Sequence, residues 1–397
     1  MARVVIIGAG IAGLSAAIHA VSDGHHVVVL EKKSKIGGRG TSQNVDGFSL
    51  HYGPHLFDKS GPFYKMCRKL SRIKPAIKSM RLDKIEVAGF GPIRPVGNIK
   101  QAALNKQAIR AKQLGNPYFE SVKFLSSWGV DENEGRIKSV LKSKLSVSNE
   151  GWIGLIGRLG AALDEVGVLI ETHCEVTAIK GQQVILKDGR QVECDAIILA
   201  CGIGGTRRIL QTVDENMTEN NFANVKTTFA SSIEVGLSSK PMAGKQCIVD
   251  YEKNAAIIDY TAIQPRLGIV GSHLSAIMTG GTDEGRLERL ESFLDKQVSG
   301  WKKHIVTDLR QSKIVVGYSN CMDYDLCQDC YNNPLILQKA HLNSHPTHTF
   351  DTIDGEIALV NDDEAEFDYD GRKSSGKSSL TQTCRRSCVI DETDKDQ

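Results

Sequence analysis

The first thirty residues of the chain show two kinds of hydrophobic pattern. Residues 3–7 form a continuous run rich in valine and isoleucine, residues 11–22 carry apolar residues and alanines at helical spacing, and residues 26–30 are again rich in valine. A short continuous apolar run is typical of a strand that is buried on both faces. The spacing of the apolar residues in the segment between the two runs is typical of a helix. The pattern therefore predicts a β-α-β unit with two parallel strands.

Later segments follow different patterns. Helical spacing at 97–147 predicts a helical insertion, and a hairpin is predicted to turn at Asp188-Gly189 into a strand at 196–200. Alternating apolar and polar residues then predict an antiparallel sheet, followed by an amphipathic helix. These elements are predicted at 231–237, 247–250, 255–260 and 269–278 for the strands and at 286–298 for the helix.

Composition and charge narrow the class of protein. The 397 residues are 41% hydrophobic and 24% charged, as in a soluble globular protein with room for two domains. A formal net charge of +2 argues against a nucleic acid partner. Because the sequence has no apolar run of about 18 residues, we expect a cytoplasmic protein. The lysines of 99–113 would suit peripheral contact with a membrane surface, although a solvated helix face is the more common role of such a pattern.

A glycine-rich loop joins the first predicted strand to the first predicted helix. Gly8 allows a tight turn, Gly10 allows the backbone to approach a pyrophosphate, and Gly13 allows the helix to pack closely on the strand. The N–H groups at the start of the helix favour phosphate. The loop reads Gly8-Ala9-Gly10-Ile11-Ala12-Gly13.

An acidic residue, Glu31, ends the second predicted strand about 20 residues beyond the glycines. A carboxylate at this place accepts hydrogen bonds from ribose hydroxyls and disfavours a 2'-phosphate. The β-α-β unit therefore predicts a site for FAD or NAD rather than NADP.

The run that follows Glu31 carries a second glycine pair, Gly37-Gly38, and then Arg39. This run resembles the glycine-pair motif of the superfamily of flavin-dependent amine oxidases, protoporphyrinogen oxidases and phytoene desaturases. The resemblance implies FAD in an extended pose with Arg39 near its pyrophosphate. Together with the glycine loop it implies that the cofactor-binding residues are Gly8, Ala9, Gly10, Ile11, Ala12, Gly13, Glu31, Lys32, Gly37, Gly38, Arg39, Thr41, Val176 and Ala200.

Three further segments extend the resemblance over residues 1 to about 317. Residues 48–57 are similar to the family segment that runs under the flavin ring, which implies that Gly53, Pro54 and His55 are flavin neighbours. Residues 174–179 resemble the strand that clasps adenine, and residues 194–201 resemble the strand that closes the FAD domain. No catalytic side chain is identified by these matches.

The chain departs from the family after Gly317, where a strand ending in a Gly-Asp pair is expected and is not recognised. Residues 318–350 instead resemble the second half of a ZZ-type zinc finger, although its first Cys-x-x-Cys pair is missing. A Zn²⁺ site, a metal-free cysteine-rich tail and a disulfide all stay open. The tail from residue 351 has the composition of a disordered segment. The candidate metal ligands are Cys321, Cys327, Cys330, His345 and His348.

The sequence thus predicts an α/β protein with a Rossmann-like FAD-binding domain and a mixed sheet-plus-helix substrate domain. The expected boundaries are 1–75 and 150–230 for the FAD-binding domain, 76–149 and 231–317 for the substrate domain, 318–350 for the Cys/His-rich appendage, and 351–397 for the tail.

The family resemblance implies an FAD-dependent oxidoreductase that removes hydride from a small hydrophobic substrate of isoprenoid or carotenoid type. An amine oxidase or protoporphyrinogen oxidase is one alternative. The other is a non-catalytic flavin fold whose C-terminal segment binds a protein partner.

Overall fold

The computed structural model describes residues 1–70, 73–94, 116–130, 134–213, 225–268, 271–320 and 357–359. The described residues fall into two compact units. Unit 1 lies within Met1–Arg39, Ile156–Val225 and Asn320–Gln397, and unit 2 consists of Gly40–Leu155 and Lys226–Ser319.

The helices of the described residues are distributed over both units. In chain order they are α1 (Ile11–Ser22), α2 (Pro62–Lys69), α3 (Pro117–Ser127), α4 (Glu134–Leu141), α5 (Gly151–Glu165), α6 (Gly202–Leu210), α7 (Tyr260–Ile263) and α8 (Arg286–Gln297). Across the same ranges no helix combines the length and the apolar character that a bilayer crossing requires.

The strands of the described residues form five sheets. In chain order they are β1 (Arg3–Ile7), β2 (His26–Leu30), β3 (Ser42–Val45), β4 (Phe48–His51), β5 (Phe57–Asp58), β6 (Ile77–Ser79), β7 (Ile85–Val87), β8 (Gly91–Pro92), β9 (Leu145–Ser148), β10 (Leu169–Glu171), β11 (Val176–Lys180), β12 (Gln183–Leu186), β13 (Gln191–Glu193), β14 (Ala196–Leu199), β15 (Val225–Leu237), β16 (Cys247–Asp250), β17 (Ala255–Asp259), β18 (Ser272–Met278), β19 (Ile305–Asn320) and β20 (Ile357–Leu359).

A parallel sheet with the strand order β10-β2-β1-β14-β20 forms the centre of unit 1. Its inner strands are apolar on both faces, as expected for a parallel sheet covered on both sides. Val5 and Ile7 of β1 pack with Leu30 of β2 and Leu199 of β14 in one core cluster. Because β1 and β2 are parallel neighbours joined through α1, the carboxyl end of β1, the start of α1 and the end of β2 meet at one edge of the sheet.

A seven-stranded sheet with the order β19-β15-β18-β17-β16-β7-β8 forms the centre of unit 2. The β15–β18, β18–β17 and β17–β16 pairs are antiparallel, and β16 pairs with β7 in parallel. One face of the sheet packs on α8, where Ile233 and Val235 contact a core with Leu290 and Phe293. The opposite face belongs to a second core that includes Ile258.

Several sequence predictions are confirmed. The first β-α-β unit is found at the predicted residues, and the predicted strands and helix of 231–298 appear as β15 to β18 and α8. The helical insertion is described in part, as α3 and α4, because 95–115 lies outside the described residues. The predicted hairpin was wrong in one respect, since β12 turns into β13, whereas β14 joins the parallel sheet beside β1.

The two units divide the chain at different residues from those expected. Residues 40–75, expected in the FAD-binding domain, belong to unit 2, because the β3–β4 hairpin packs on the seven-stranded sheet. Strand β19 continues to Asn320, past the residue at which the Cys/His-rich segment was expected to begin.

Strand β20 lies in the segment for which the composition predicts disorder. It pairs in parallel with β14, in the register Ile357 with Ile197 and Leu359 with Leu199. The physical reason is that the outer edge of β14 presents unpaired backbone N–H and C=O groups, which an extended segment satisfies. A further strand of unit 1 therefore follows the Cys/His-rich segment, whose own residues 321–350 lie outside the described part of the chain.

The packing of α8 on the unit 2 sheet gives a stability prediction. Leu290 is fully buried, and we expect Leu290→Ala to lower the free energy of unfolding by about 2–5 kcal/mol, because it leaves a cavity in the core. The exposed Glu288 of the same helix is the matched control, and Glu288→Ala should stay within about 0.5 kcal/mol of the parent. Urea unfolding followed by tryptophan fluorescence, to which Trp301 of the same core contributes, measures both effects. Equal urea midpoints of unfolding for the two variants would contradict the packing of Leu290 in this core.

Candidate cofactor site

The turn between β1 and α1 is closed by direct backbone contact. Gly8 has a φ of 109°, a conformation that L side chains rarely adopt. A Cβ atom on Gly8 would lie 2.5 Å from the carbonyl oxygen of Ala200, and a Cβ atom on Gly13 would lie 1.9 Å from the carbonyl oxygen of Gly8. Both positions therefore require glycine, as the sequence predicts.

The N-terminus of α1 points its free N–H groups out of this turn. Gly10 is the N-cap, and the N–H of Leu14 donates the first helical hydrogen bond to the carbonyl of Gly10, at 2.9 Å. The N–H groups of a helix's first turn have no intrahelical partner, and the helix dipole adds partial positive charge at this end. The arrangement favours an anionic ligand such as a phosphate group.

The side chain of Glu31 turns toward the glycine loop. Its Oε2 accepts a hydrogen bond from the N–H of Ala9, and its Oε1 accepts one from the N–H of Lys33, both at 2.9 Å. The backbone of Glu31 makes two hydrogen bonds of 2.8 Å. Its N–H donates to the carbonyl of Glu171, and its carbonyl accepts from the N–H of Cys174. A carboxylate offers about four acceptor positions, so about two stay for the hydroxyl groups of a ribose.

The second glycine pair lies beside the first loop. The N–H of Gly37 donates to the carbonyl of Ala9 at 2.6 Å, and Gly37 forms a parallel bridge with Gly10. Gly37 and Gly38 have φ values of 110° and 53°, and a Cβ atom on Gly38 would lie 3.3 Å from the Cα atom of Gly10. The two glycine-rich segments form a surface of bare backbone, which we call the glycine cradle: residues 8–13 and 37–38.

Other predicted cofactor residues also belong to unit 1. Ala200 is buried and follows β14, and Val176 begins β11 and packs against the core of the parallel sheet. Lys32 is exposed, while Arg39 is half-buried in a short 3₁₀ turn that directly follows the glycine cradle. The fold thus brings Glu31, Gly37 and Ala200 against the turn that follows β1, while the roles of Lys32, Arg39 and Val176 stay predictions.

The remaining predicted residues, Thr41, Gly53, Pro54 and His55, belong to unit 2. Gly53 has a φ of 103°, and the N–H of His55 donates to the hydroxyl of Tyr260 at 2.6 Å. Their role as flavin neighbours stays a prediction. The predicted metal ligands lie outside the described residues, and they are Cys321, Cys327, Cys330, His345 and His348.

Sequence reasoning missed two buried ionisable residues of unit 2, Glu234 and His273. Burial raises the pKa of the Glu234 carboxyl above its usual value. Burial, reinforced by the imidazoles of His55 and His273, lowers the pKa of the nearby His51 well below its usual value. One sequence signal could have identified these residues. Each is an acid or a histidine in a predicted strand whose neighbouring positions are apolar or small.

The family model described as FAD dependent oxidoreductase matches residues 3–286. The chain is 37% identical over 70 residues to a 4,4'-diapophytoene desaturase (4,4'-diaponeurosporene-forming) of Staphylococcus aureus (strain bovine RF122 / ET3-1), a match that covers 17% of this chain and 14% of the relative.

Two solved structures have the same fold. Cyclohexylamine oxidase from Brevibacterium oxydans IH-35A is 16% identical, with a TM-score of 0.60, over 91% of this chain and 93% of the other. An oxidoreductase from Methanosarcina mazei is 18% identical, with a TM-score of 0.59, over 78% of this chain and 87% of the other. At these identities the likeness concerns the fold alone.

The close contact at Gly13 predicts that a glycine-to-alanine change there lowers stability, whereas the same change at an open helical position does not. Alanine has the higher helix propensity by about 1 kcal/mol, but at Gly13 its Cβ atom would overlap a backbone carbonyl. We expect Gly13→Ala to lower the free energy of unfolding by about 1–3 kcal/mol. The matched control is Gly204→Ala on α6, where a Cβ atom meets open space and stability should stay equal or rise by up to about 1 kcal/mol. Thermal unfolding of both variants measures this, and a stabilised Gly13→Ala protein would show that the turn has another geometry.

Proposed function

The chain belongs to the FAD-dependent oxidoreductase family, and from that membership we propose that it binds FAD at the glycine cradle and removes hydride from a small hydrophobic substrate of isoprenoid or carotenoid type. The observation that carries the proposal is the hydrogen bond between Glu31 and the N–H of Ala9. It fixes an acidic side chain beside the backbone that would hold a pyrophosphate.

The residues of unit 1 fit a dinucleotide with a free 2'-hydroxyl. The free acceptor positions of Glu31 suit ribose hydroxyls, and its negative charge would repel a 2'-phosphate. The glycines at positions 8, 13 and 38 let the backbone segments of the cradle pack against each other and against Ala200 without a Cβ atom between them. These features favour FAD or NAD over NADP.

The second glycine pair favours FAD over NAD. Gly37 and Gly38 extend the bare backbone surface beyond the first loop, and the side chain of Arg39 follows directly. An arginine fork suits a diphosphate, so in this proposal Arg39 supplies charge that the glycine cradle lacks.

The chemistry belongs to the cofactor, and the protein supplies binding and orientation. When bound, FAD supplies a two-electron acceptor for a hydride from a substrate C–H bond. The tasks of this chain's own residues are to hold the pyrophosphate on backbone N–H groups and the ribose on Glu31.

Support for a hydrophobic substrate comes from the sequence match to the desaturase of Staphylococcus aureus. Since this match spans 14% of that relative, its reaction enters here as part of the proposal. The amine oxidase alternative is supported by the similarity of this fold to that of a cyclohexylamine oxidase. A direct comparison of the two substrate classes decides between them.

The role of Glu31 gives a binding prediction. Glu31→Gln removes a charged acceptor, and hydrogen bonds to charged groups contribute about 1.5–3 kcal/mol, so FAD affinity should fall about 10- to 150-fold. Titration of the apoprotein with FAD, followed by quenching of flavin fluorescence, measures this. The control is Glu193→Gln in the same unit, where an exposed carboxylate 3.7 Å from Arg3 should not matter for affinity. If the two variants bound FAD equally well, Glu31 would have no part in binding it.

The substrate class gives a second prediction. Flavin-loaded protein mixed without oxygen with a detergent-dispersed polyene hydrocarbon should lose its visible flavin absorbance, and the same protein mixed with a primary amine should not. The reverse result would favour the amine oxidase alternative. A purified protein that takes up no FAD would favour the non-catalytic alternative.

A further inference from the structure

Unit 2 contains a buried group of metal-ligating side chains that the FAD proposal does not use. Within the part of the chain that the structure describes, His51, Glu234 and His273 bring one ligand atom each to within 4.8 Å of one another. We call these three residues the buried triad. Their side chains are 2% exposed or less.

The buried triad is assembled from three strands of unit 2. Glu234 on β15 lies opposite Ser275 on β18, and His273 is two residues before Ser275, so these side chains share one face of the sheet. Strand β4 covers this face and brings His51 at its end. It comes close because Gly236 has no side chain, since a Cβ atom there would lie 2.5 Å from a ring carbon of Phe48.

The distances within the buried triad suit a single ion. With metal–ligand bonds of about 2.1 Å and tetrahedral angles, ligand atoms lie about 3.4 Å apart. Oε2 of Glu234 lies 2.8 Å from Nε2 of His273 and 3.9 Å from Nδ1 of His51, so the two separations bracket that value. Small side-chain rotations would equalise them.

The hydrogen bonds of the buried triad are incomplete without an ion. Glu234 is satisfied by His273 and by the hydroxyl of Ser275, which donates to Oε1. Neither ring nitrogen of His51 has a hydrogen-bond partner among the described residues, although the ring is buried. An ion pair between Glu234 and His273 explains those two residues but leaves His51 with the cost of an unsatisfied buried imidazole.

We propose that the buried triad binds one divalent transition-metal ion of the zinc type, which fastens β4 to β15 and β18. Two imidazole nitrogens and one carboxylate oxygen are a ligand set that zinc and related ions accept. Ser275 orients the carboxylate from outside, as second-layer partners of metal ligands do. The ion takes the place of the hydrogen bond that His51 lacks.

The test must separate this site from the cysteines of the C-terminal segment. The full-length protein carrying Cys321→Ser, Cys327→Ser and Cys330→Ser serves as the background. After removal of metals with a chelator, equilibrium dialysis against Zn²⁺ should give one ion per chain. Substitution with Co²⁺ should give a visible spectrum without the thiolate charge-transfer band that cysteine ligands produce.

Variants of the buried triad should lose the ion selectively. Removal of an outer partner of a metal ligand costs about 10- to 100-fold in affinity, so His51→Phe and Glu234→Gln should each cost at least that, and Ser275→Ala about tenfold. His304→Gln, at an exposed histidine of the same unit, should bind Zn²⁺ like the background. His51→Phe should fold, because the ring it replaces makes no hydrogen bond among the described residues.

Two results would overturn the site. One is a background protein that binds no Zn²⁺, and the other is unchanged Zn²⁺ affinity in both His51→Phe and Glu234→Gln. Thermal unfolding supplies a second readout, since Zn²⁺ should raise the melting temperature of the background and of His304→Gln but not of His51→Phe. FAD binding, measured in parallel, should be equal in the background, in Ser275→Ala and in His304→Gln, so failure of this site is distinguishable from failure of the proposed function.

Discussion

The contact between the backbone of Gly8 and the Cα of Gly13 is the constraint on which unit 1 depends. Because α1 packs against the turn without a Cβ atom between them, its N-terminus starts directly at the end of β1. The same closeness places Ala9 where Glu31 can accept its N–H, and places the Ala9 carbonyl where Gly37 can donate to it. A larger residue at position 13 would separate all of these partners together.

Local patterns predicted the first β-α-β unit, and long-range contacts decide the features that the sequence did not predict. The spacing of apolar residues gave the bounds of β1, α1 and β2, because it follows directly from helix and strand geometry. The glycines and Glu31 fall within this one unit, so their proximity could be inferred from the sequence. The division at Arg39, by contrast, depends on which sheet the β3–β4 hairpin covers, and no local pattern contains that information.

The buried triad also could not be predicted from local sequence patterns. Glu234 lies 183 residues beyond His51 and 39 residues before His273, and the three meet because the register of β15 and β18 and the position of β4 bring them together. Their sequence signal is weak, since a single acid or histidine in a strand is compatible with an exposed face. The two faces of this sheet therefore differ in chemistry: one makes an apolar contact with α8, and the other carries buried ionisable groups beneath β4 as well as an apolar core.

The position of β20 near the end of the sequence affects the order in which the two units can fold during synthesis. The parallel sheet of unit 1 takes its inner strands from the first thirty residues and from β14, but one of its two edge strands, β20, from residues 357–359. During synthesis, the whole of unit 2 leaves the ribosome before that last strand does. Until then β14 has one uncovered edge, and such an edge is a template for pairing with other chains. The edge of β14 is thus covered by its own chain only after residues 357–359 have been synthesised.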